Sequence, residues 1–147
     1  MFQSIVVGTD GSQTAGEAVR ESIELAKAVG ASIELVSAYE PVSNQRLREE
    51  REQVPRDMEW MVSAREEVES TLREASASVE ESGVSVETYA REGDPADAIL
   101  DVAEEKNADL IVVGNKGMTG AKRFLLGSVP NKVSHHAPCS VMIIRTT

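Results

Sequence analysis

Cysteine is nearly absent: Cys139 is the only one in 147 residues. A single thiol excludes an internal disulfide and any multi-cysteine metal site. A reducing cytoplasm fits, and a place just before an apolar stretch suits a buried, inert thiol. Aromatic residues are also scarce, at 3%, so the core must be built from Val, Ile, Leu, Ala and Met. No apolar run approaches transmembrane length. The opening Met1-Phe-Gln-Ser-Ile-Val-Val has the pattern of a strand rather than a signal peptide. Positive charge is in deficit, with a formal net charge of −10. That balance argues against nucleic acid as a main partner and against an anionic membrane surface, since both need a basic face. Two readings of the acidity stand: a soluble acidic protein, or one adapted to high salt. The second draws on arginine outnumbering lysine and on acids spread along the helix faces.

What is present reads as alternating strands and helices in one domain, residues 1–147. Gln3 to Thr9 is an apolar strand. Asp10-Gly11-Ser12 is a tight turn whose serine can cap a helix. That helix runs to about Val29, with Ala15, Ala18, Val19, Ile23, Ala26 and Val29 on one face, and Gly30 ends it. Ala31 to Tyr39 is a second strand. Glu40 to Val54 is polar and highly charged, and reads as a solvated loop or an early helical turn, with a mobile insertion over the site as the alternative. Pro55 suits the first turn of a long helix with Met58, Met61, Val62, Val68, Leu72, Ala75 and Val79 as its buried stripe. Trp60 falls off that stripe. Ser82-Gly83 stops the helix, and Val84 to Arg91 alternates like a third strand. Asp94-Pro95 is an N-cap followed by proline at the first helical position, opening a helix to about Lys106. Ala108 to Val113 is a buried strand, Ser128 to Ala137 a short helix, and Ser140 to Arg145 a fifth strand. Such alternation implies parallel βαβ units and a sheet covered on both faces.

The stretch Gly114 to Val129 is the chemically distinctive one. A strand, a loop with four glycines, and then Gly127-Ser128 opening a helix suit a phosphate. Glycine lets an anion approach backbone N–H groups, and a helix N-terminus supplies free donors and a positive dipole end. Ser128 adds a hydroxyl, while Lys116, Lys122 and Arg123 add charge. The loop is not a Walker A sequence, since no Gly-Lys-Ser/Thr occurs, and Gly-x-Gly-x-x-Gly is missing too. The spacing is Gly114-x2-Gly117-x9-Gly127-Ser128.

That spacing resembles the ATP-binding signature of the universal stress protein family. The resemblance extends to Val6-Val7-Gly8-Thr9-Asp10-Gly11-Ser12, to Gly93-Asp94-Pro95-Ala96 and to Ala137-Pro138-Cys139-Ser140-Val141. It implies an open five-stranded parallel α/β sheet, Rossmann-like, of order 3-2-1-4-5. It implies a pocket for ATP, with Mg²⁺ or Mn²⁺ accompanying the triphosphate. Gly8, Thr9 and Asp10 would form one wall, with Asp10 taking hydrogen bonds from ribose or adenine. Ala38 stands where the family reads adenine through its backbone. Gly114, Gly117, Gly127, Ser128 and Val129 would hold the phosphates, and Val113 would belong to the same nucleotide site. It also implies a homodimer paired through Ser140 to Arg145.

Each of these residues has a plainer reading. Asp10 could serve only its turn, and the glycines only theirs. His135 and His136 are adjacent on a helix, point in different directions and cannot easily share a metal. No Ser-His-Asp arrangement is supported, and no base to activate water is evident, so ATP hydrolysis would be slow at most. The expected function is a cytoplasmic, nucleotide-dependent sensor or regulator of the stress response. The alternative is a nucleotide-free homodimeric interaction module of the same fold. A phosphoacceptor receiver domain fits less well, because Asp10 stands alone in its turn and the third strand ends Arg91-Glu92-Gly93.

Overall fold

The computed structural model describes residues 2–40, 64–115 and 127–145. Five strands form one parallel sheet of order β3-β2-β1-β4-β5, the order implied by the resemblance. They are β1 (Ser4–Gly8), β2 (Ser32–Tyr39), β3 (Val86–Glu92), β4 (Leu110–Gly114) and β5 (Ser140–Ile144). Between them lie α1 (Gln13–Val29), α2 (Arg65–Glu81), α3 (Pro95–Glu105) and α4 (Ser128–His136).

Strand periodicity decides which helix covers which face. Ile5, Val7, Ile33, Leu35, Leu110 and Val112 pack with Ala18, Val19, Ile23 and Ala26 of α1 and Val68, Leu72 and Val79 of α2. The alternating residues Val6, Val36, Ala38, Ile111 and Val113 pack with Ala96, Ile99 and Val102 of α3 and Val129 and Val133 of α4. Crossovers of one hand explain the split: the chain winds outward from β1 to β3, returns past β1 to β4, and winds the other way. Strands buried on both faces must be apolar throughout. β1 and β4 meet that demand, with Ile5, Val6, Val7, Ile111, Val112 and Val113 fully buried. Truncating Ile5 or Ile111 to alanine should cost about 2–5 kcal/mol.

The helix ends follow local chemistry. The Ser12 hydroxyl accepts from Ala15 N at 3.2 Å and caps α1, and Gly30 closes it in the left-handed region at φ 74°. The Asp94 carboxylate accepts from Asp97 N at 3.0 Å and caps α3, with Pro95 in its first turn. The expected stripe of α1 is buried except for the half-buried Val29. Ser22 joins it by donating to the Ala18 carbonyl at 2.8 Å.

One element differs from expectation. A continuous helix from Pro55 does not form, because Ala64 is extended at φ −66°, ψ 155°, and α2 starts at Arg65. Glu66 and Glu67 lie in its first turn, where the helix dipole favours negative charge, and they mark this start. Pro55, Met58, Trp60, Met61 and Val62 lie outside the described residues, as does the charged stretch 41–54. Val68, Leu72 and Val79 are buried as expected, and Ala75 is half-buried against the same cluster.

Candidate functional site

In an open parallel sheet the crevice for a ligand lies beyond the carboxyl ends of the strands, where the winding reverses. Here that point is between β1 and β4, which are neighbours with Val7 opposite Val112. The turn Thr9-Asp10 and the strand end Val113-Gly114 therefore leave the sheet side by side. Across β1, Gly8 sits opposite Val36 of β2, so Ala38 stands two residues further toward the crevice. The amide of Thr9 donates to the Val36 carbonyl at 2.9 Å and ties the turn to β2.

The wall formed by β1 is rigidly built. Thr9 is 2% and Asp10 8% exposed. Asp10 Oδ1 accepts from Ser12 N at 3.0 Å, and Thr9 Oγ1 accepts from Gly11 N at 3.3 Å. Asp10 thus does serve its turn, and the turn in turn fixes the direction of its carboxylate. Gly11 takes φ +80°, and a Cβ there would stand 2.9 Å from Thr71 Oγ1 of α2. Only glycine allows both the backbone angle and this close approach.

After β4 comes α4, which packs on the same face of the sheet as α3. Its N-cap is Gly127, buried, with extended backbone at φ −65°, ψ 168°. Gly127 has no side chain to cap this N-terminus, and no acid occupies its first turn. The other described helices each have one or the other: Ser12 for α1, Glu66 and Glu67 for α2, Asp94 for α3. Pro130 carries no N–H, so the first-turn donors of α4 are the amides of Ser128 and Val129. Asn131 N already donates to the Gly127 carbonyl at 3.1 Å. Lys132 lies one turn further on. Its ammonium is 3.0 Å from Asp97 Oδ1 and 3.3 Å from Asp94 Oδ2. Hydrogen bonds to Asp97 and Asp94 raise its pKa above the ordinary lysine value.

Of the expected residues, Ala38, Val113 and Val129 fall in one apolar cluster on the α3–α4 face. Gly8, Thr9, Asp10 and Gly114 stand at the strand ends beside it, and Gly127 and Ser128 at the start of α4. Gly117 lies outside the described residues, with Lys116, Gly120, Lys122 and Arg123. Two residues outside the expected set lie beside its described members. Ala96, 1% exposed, belongs to the same cluster as Ala38. Its signal was its place one residue after the Asp94-Pro95 helix start. Asn115 is 5% exposed, and its backbone N–H donates to the Ile144 carbonyl at 3.0 Å. A polar residue immediately following a buried apolar strand was the available signal.

The side residues behave simply. His135 and His136 are exposed in the last turn of α4, with ring centroids 6.4 Å apart and tilted by 50°. Cys139 is half-buried rather than fully buried, and burial foremost, then the charge of Asp109, pushes its thiol pKa up. Among the described residues no group of three or more His, Cys, Asp or Glu could hold a metal ion. No described helix is long and apolar enough to cross a membrane.

A doubly wound five-stranded parallel sheet of order β3-β2-β1-β4-β5 defines the class. The universal stress protein family model matches residues 1–145. Universal stress protein MJ0531 of Methanocaldococcus jannaschii is 34% identical over 148 residues, covering 99% of this chain and 83% of that protein. A solved universal stress protein in complex with cAMP superposes with a TM-score of 0.72 at 32% identity, covering 99% of this chain and 98% of the other. The universal stress protein from Archaeoglobus fulgidus in complex with dAMP gives a TM-score of 0.69 at 25% identity, with 97% and 98% covered. The chain belongs to the universal stress protein family.

Proposed function

We propose that this universal stress protein binds ATP at the β1–β4 crevice and acts as a nucleotide-dependent sensor or regulator in the cytoplasm. The observation that carries the reading is the start of α4, where Gly127 offers no capping side chain and the first turn holds no acid, in a sheet whose β1 and β4 are neighbours. The amides of Ser128 and Val129, at a helix start with no acid in its first turn, suit one phosphate group. Ala38, Ala96, Val113 and Val129 form one apolar cluster on the α3–α4 face, and an apolar surface of this kind suits the packing of a flat base. The solved relatives with cAMP and dAMP support an adenine nucleotide as the ligand class. The glycine spacing of 114, 117 and 127 extends that class to the triphosphate. The metal, Mg²⁺ or Mn²⁺, would arrive on the phosphates, where it neutralises charge. The residues holding the nucleotide would be Gly8, Thr9, Asp10, Ala38, Val113, Gly114, Gly117, Gly127, Ser128 and Val129.

The rest of the chain serves the same unit. Residues 1–147 form one nucleotide-binding domain, and a two-fold axis pairs β5 with its copy to make a homodimer. Met142 on β5 is 38% exposed and is the exposed large hydrophobic among the described residues. The test of the ligand is mass spectrometry of protein denatured directly after purification, with calorimetry on nucleotide-free protein beside it. Release of ATP, or saturable heat with added ATP, supports the reading. Protein that carries no nucleotide and takes up neither ATP nor AMP is the nucleotide-free module instead.

A further inference from the structure

Lys132 occupies a place that helix electrostatics disfavour. It lies in the second turn of α4, near the positive end of the dipole, where a cation is repelled. Two carboxylates from another helix hold it there: Asp97 Oδ1 at 3.0 Å and Asp94 Oδ2 at 3.3 Å. Asp94 is already committed to capping α3 through Asp97 N at 3.0 Å. The starts of α3 and α4 are thus joined through one ammonium, on the sheet face that carries Ala38 and Val129.

Helix geometry sets where that ammonium lies. Lys132 is four residues after Ser128, so the two share a face of α4, and both are exposed. Helical side chains lean toward the N-terminus, which carries the lysine toward the first turn. Its position against the N-cap of α3 agrees with this lean. The ion pairs are themselves half exposed, with side-chain exposures of 44% for Lys132, 47% for Asp94 and 58% for Asp97. Exposed pairs of this kind are weak and exchange readily for a stronger anion. A phosphate chain is such an anion, because charge-assisted bonds to phosphate are the stronger ones.

We propose that Lys132 sets the preference of this protein for nucleotides with more than one phosphate, with Asp94 and Asp97 competing against the phosphate chain for its ammonium. The inference rests on the reading that a nucleotide seats its phosphates at the start of α4. The first phosphate is served by the amides of Ser128 and Val129, and a further phosphate draws Lys132 from its carboxylates. The acid pair then acts as a threshold: it keeps the lysine occupied against a monophosphate and yields it to a polyphosphate.

The experiment is calorimetric titration of ATP, ADP and AMP, with Mg²⁺ present, into the parent and three variants. Lys132→Met should weaken ATP by roughly tenfold and AMP by less than about twofold, the loss of one charge-assisted contact. Lys132→Arg should keep the parent's ratio of ATP to AMP affinity. Asp97→Asn keeps the backbone amide that serves Asp94, removes one of the two carboxylate charges that hold the lysine, and should tighten ATP by about threefold while leaving AMP unchanged. Asp97→Asn also stands alone if Lys132→Met, which unties two helices, fails to keep its helical circular dichroism signal. Equal losses for ATP and AMP in Lys132→Met, no loss at all, or weaker ATP binding in Asp97→Asn would overturn the proposal. A parent protein that takes up neither nucleotide overturns the nucleotide reading itself, and this inference with it.

Discussion

The phenol of Tyr89 on β3 donates to Glu34 Oε1 on β2 at 3.1 Å, while the hydroxyl of Ser32 reaches Oε2 at 3.3 Å. Glu34 is 5% exposed and points to the α3 face of the sheet, between Val6 and Glu87 in register. A buried carboxylate is tolerated only while its oxygens are hydrogen-bonded. Tyr89→Phe should therefore lower stability by about 1–3 kcal/mol, because it leaves Oε1 without that donor. Urea unfolding of the variant beside the parent measures this as a lower midpoint. An unchanged midpoint would mean that the pair contributes nothing.

The same tyrosine gives stability an alkaline limit. Burial raises its pKa above the usual 10.0, Lys106 partly opposes the shift, and the charges of Glu34 and Glu87 add to it. With the folded pKa above the unfolded one, the folded state holds its proton longer. That contribution is fully present below pH 10 and is lost as pH rises through the raised value. Melting temperatures measured from pH 9 to 11.5 should fall in the upper part of that range, by less in Tyr89→Phe than in the parent. An identical fall in both would remove Tyr89 as a cause.

Excess negative charge makes a separate expectation. At −10 the chain repels itself at low ionic strength. Molar KCl shortens the Debye length to roughly 3 Å and screens that repulsion. The melting temperature should climb steadily with KCl. A flat or falling curve would leave an ordinary acidic protein with no adaptation to salt.

How much of this was legible in the sequence depended on whether a signal was local. The alternation in β1 and β4, the caps Ser12 and Asp94, and the stop at Gly30 are written within a few residues, and each element formed where its pattern stood. The helix start at Arg65 was missed because Pro55 offered an earlier local signal, and the acid pair Glu66-Glu67 was the better one. The Glu34–Tyr89 pair joins residues 55 apart and depends on strand register, which no local pattern carries. The bridge from Lys132 to Asp94 spans 38 residues and needs two helices placed side by side. For the candidate site, the glycine spacing marked the start of α4. Strand order alone brought the Asp10 turn beside the end of β4, and that order came from family resemblance rather than from periodicity.

Assembly is tested at β5. Met142 is exposed on a short edge strand, next to the half-buried Val141 and Ile143. An apolar edge invites pairing, and a charge placed there opposes its own copy across a two-fold axis. Met142→Glu should convert a dimer into a monomer in light scattering at micromolar concentration, without loss of the circular dichroism signal. A monomer mass for the unmodified protein would exclude the β5 pairing.

The most direct test of the nucleotide reading is ATP titration into Gly127→Val. Gly127 has extended backbone that any residue adopts, so valine imposes no left-handed strain at φ −65°. What it adds is bulk where a phosphate would approach the amides of Ser128 and Val129. Ser128→Ala, which removes one hydroxyl, should cost on the order of 1 kcal/mol of binding. Asp10→Ala should weaken ATP and AMP alike. The expected result for Gly127→Val is no measurable ATP binding in a protein with the parent's circular dichroism spectrum. Undiminished ATP affinity in that folded variant would contradict the placement of the phosphates at the start of α4.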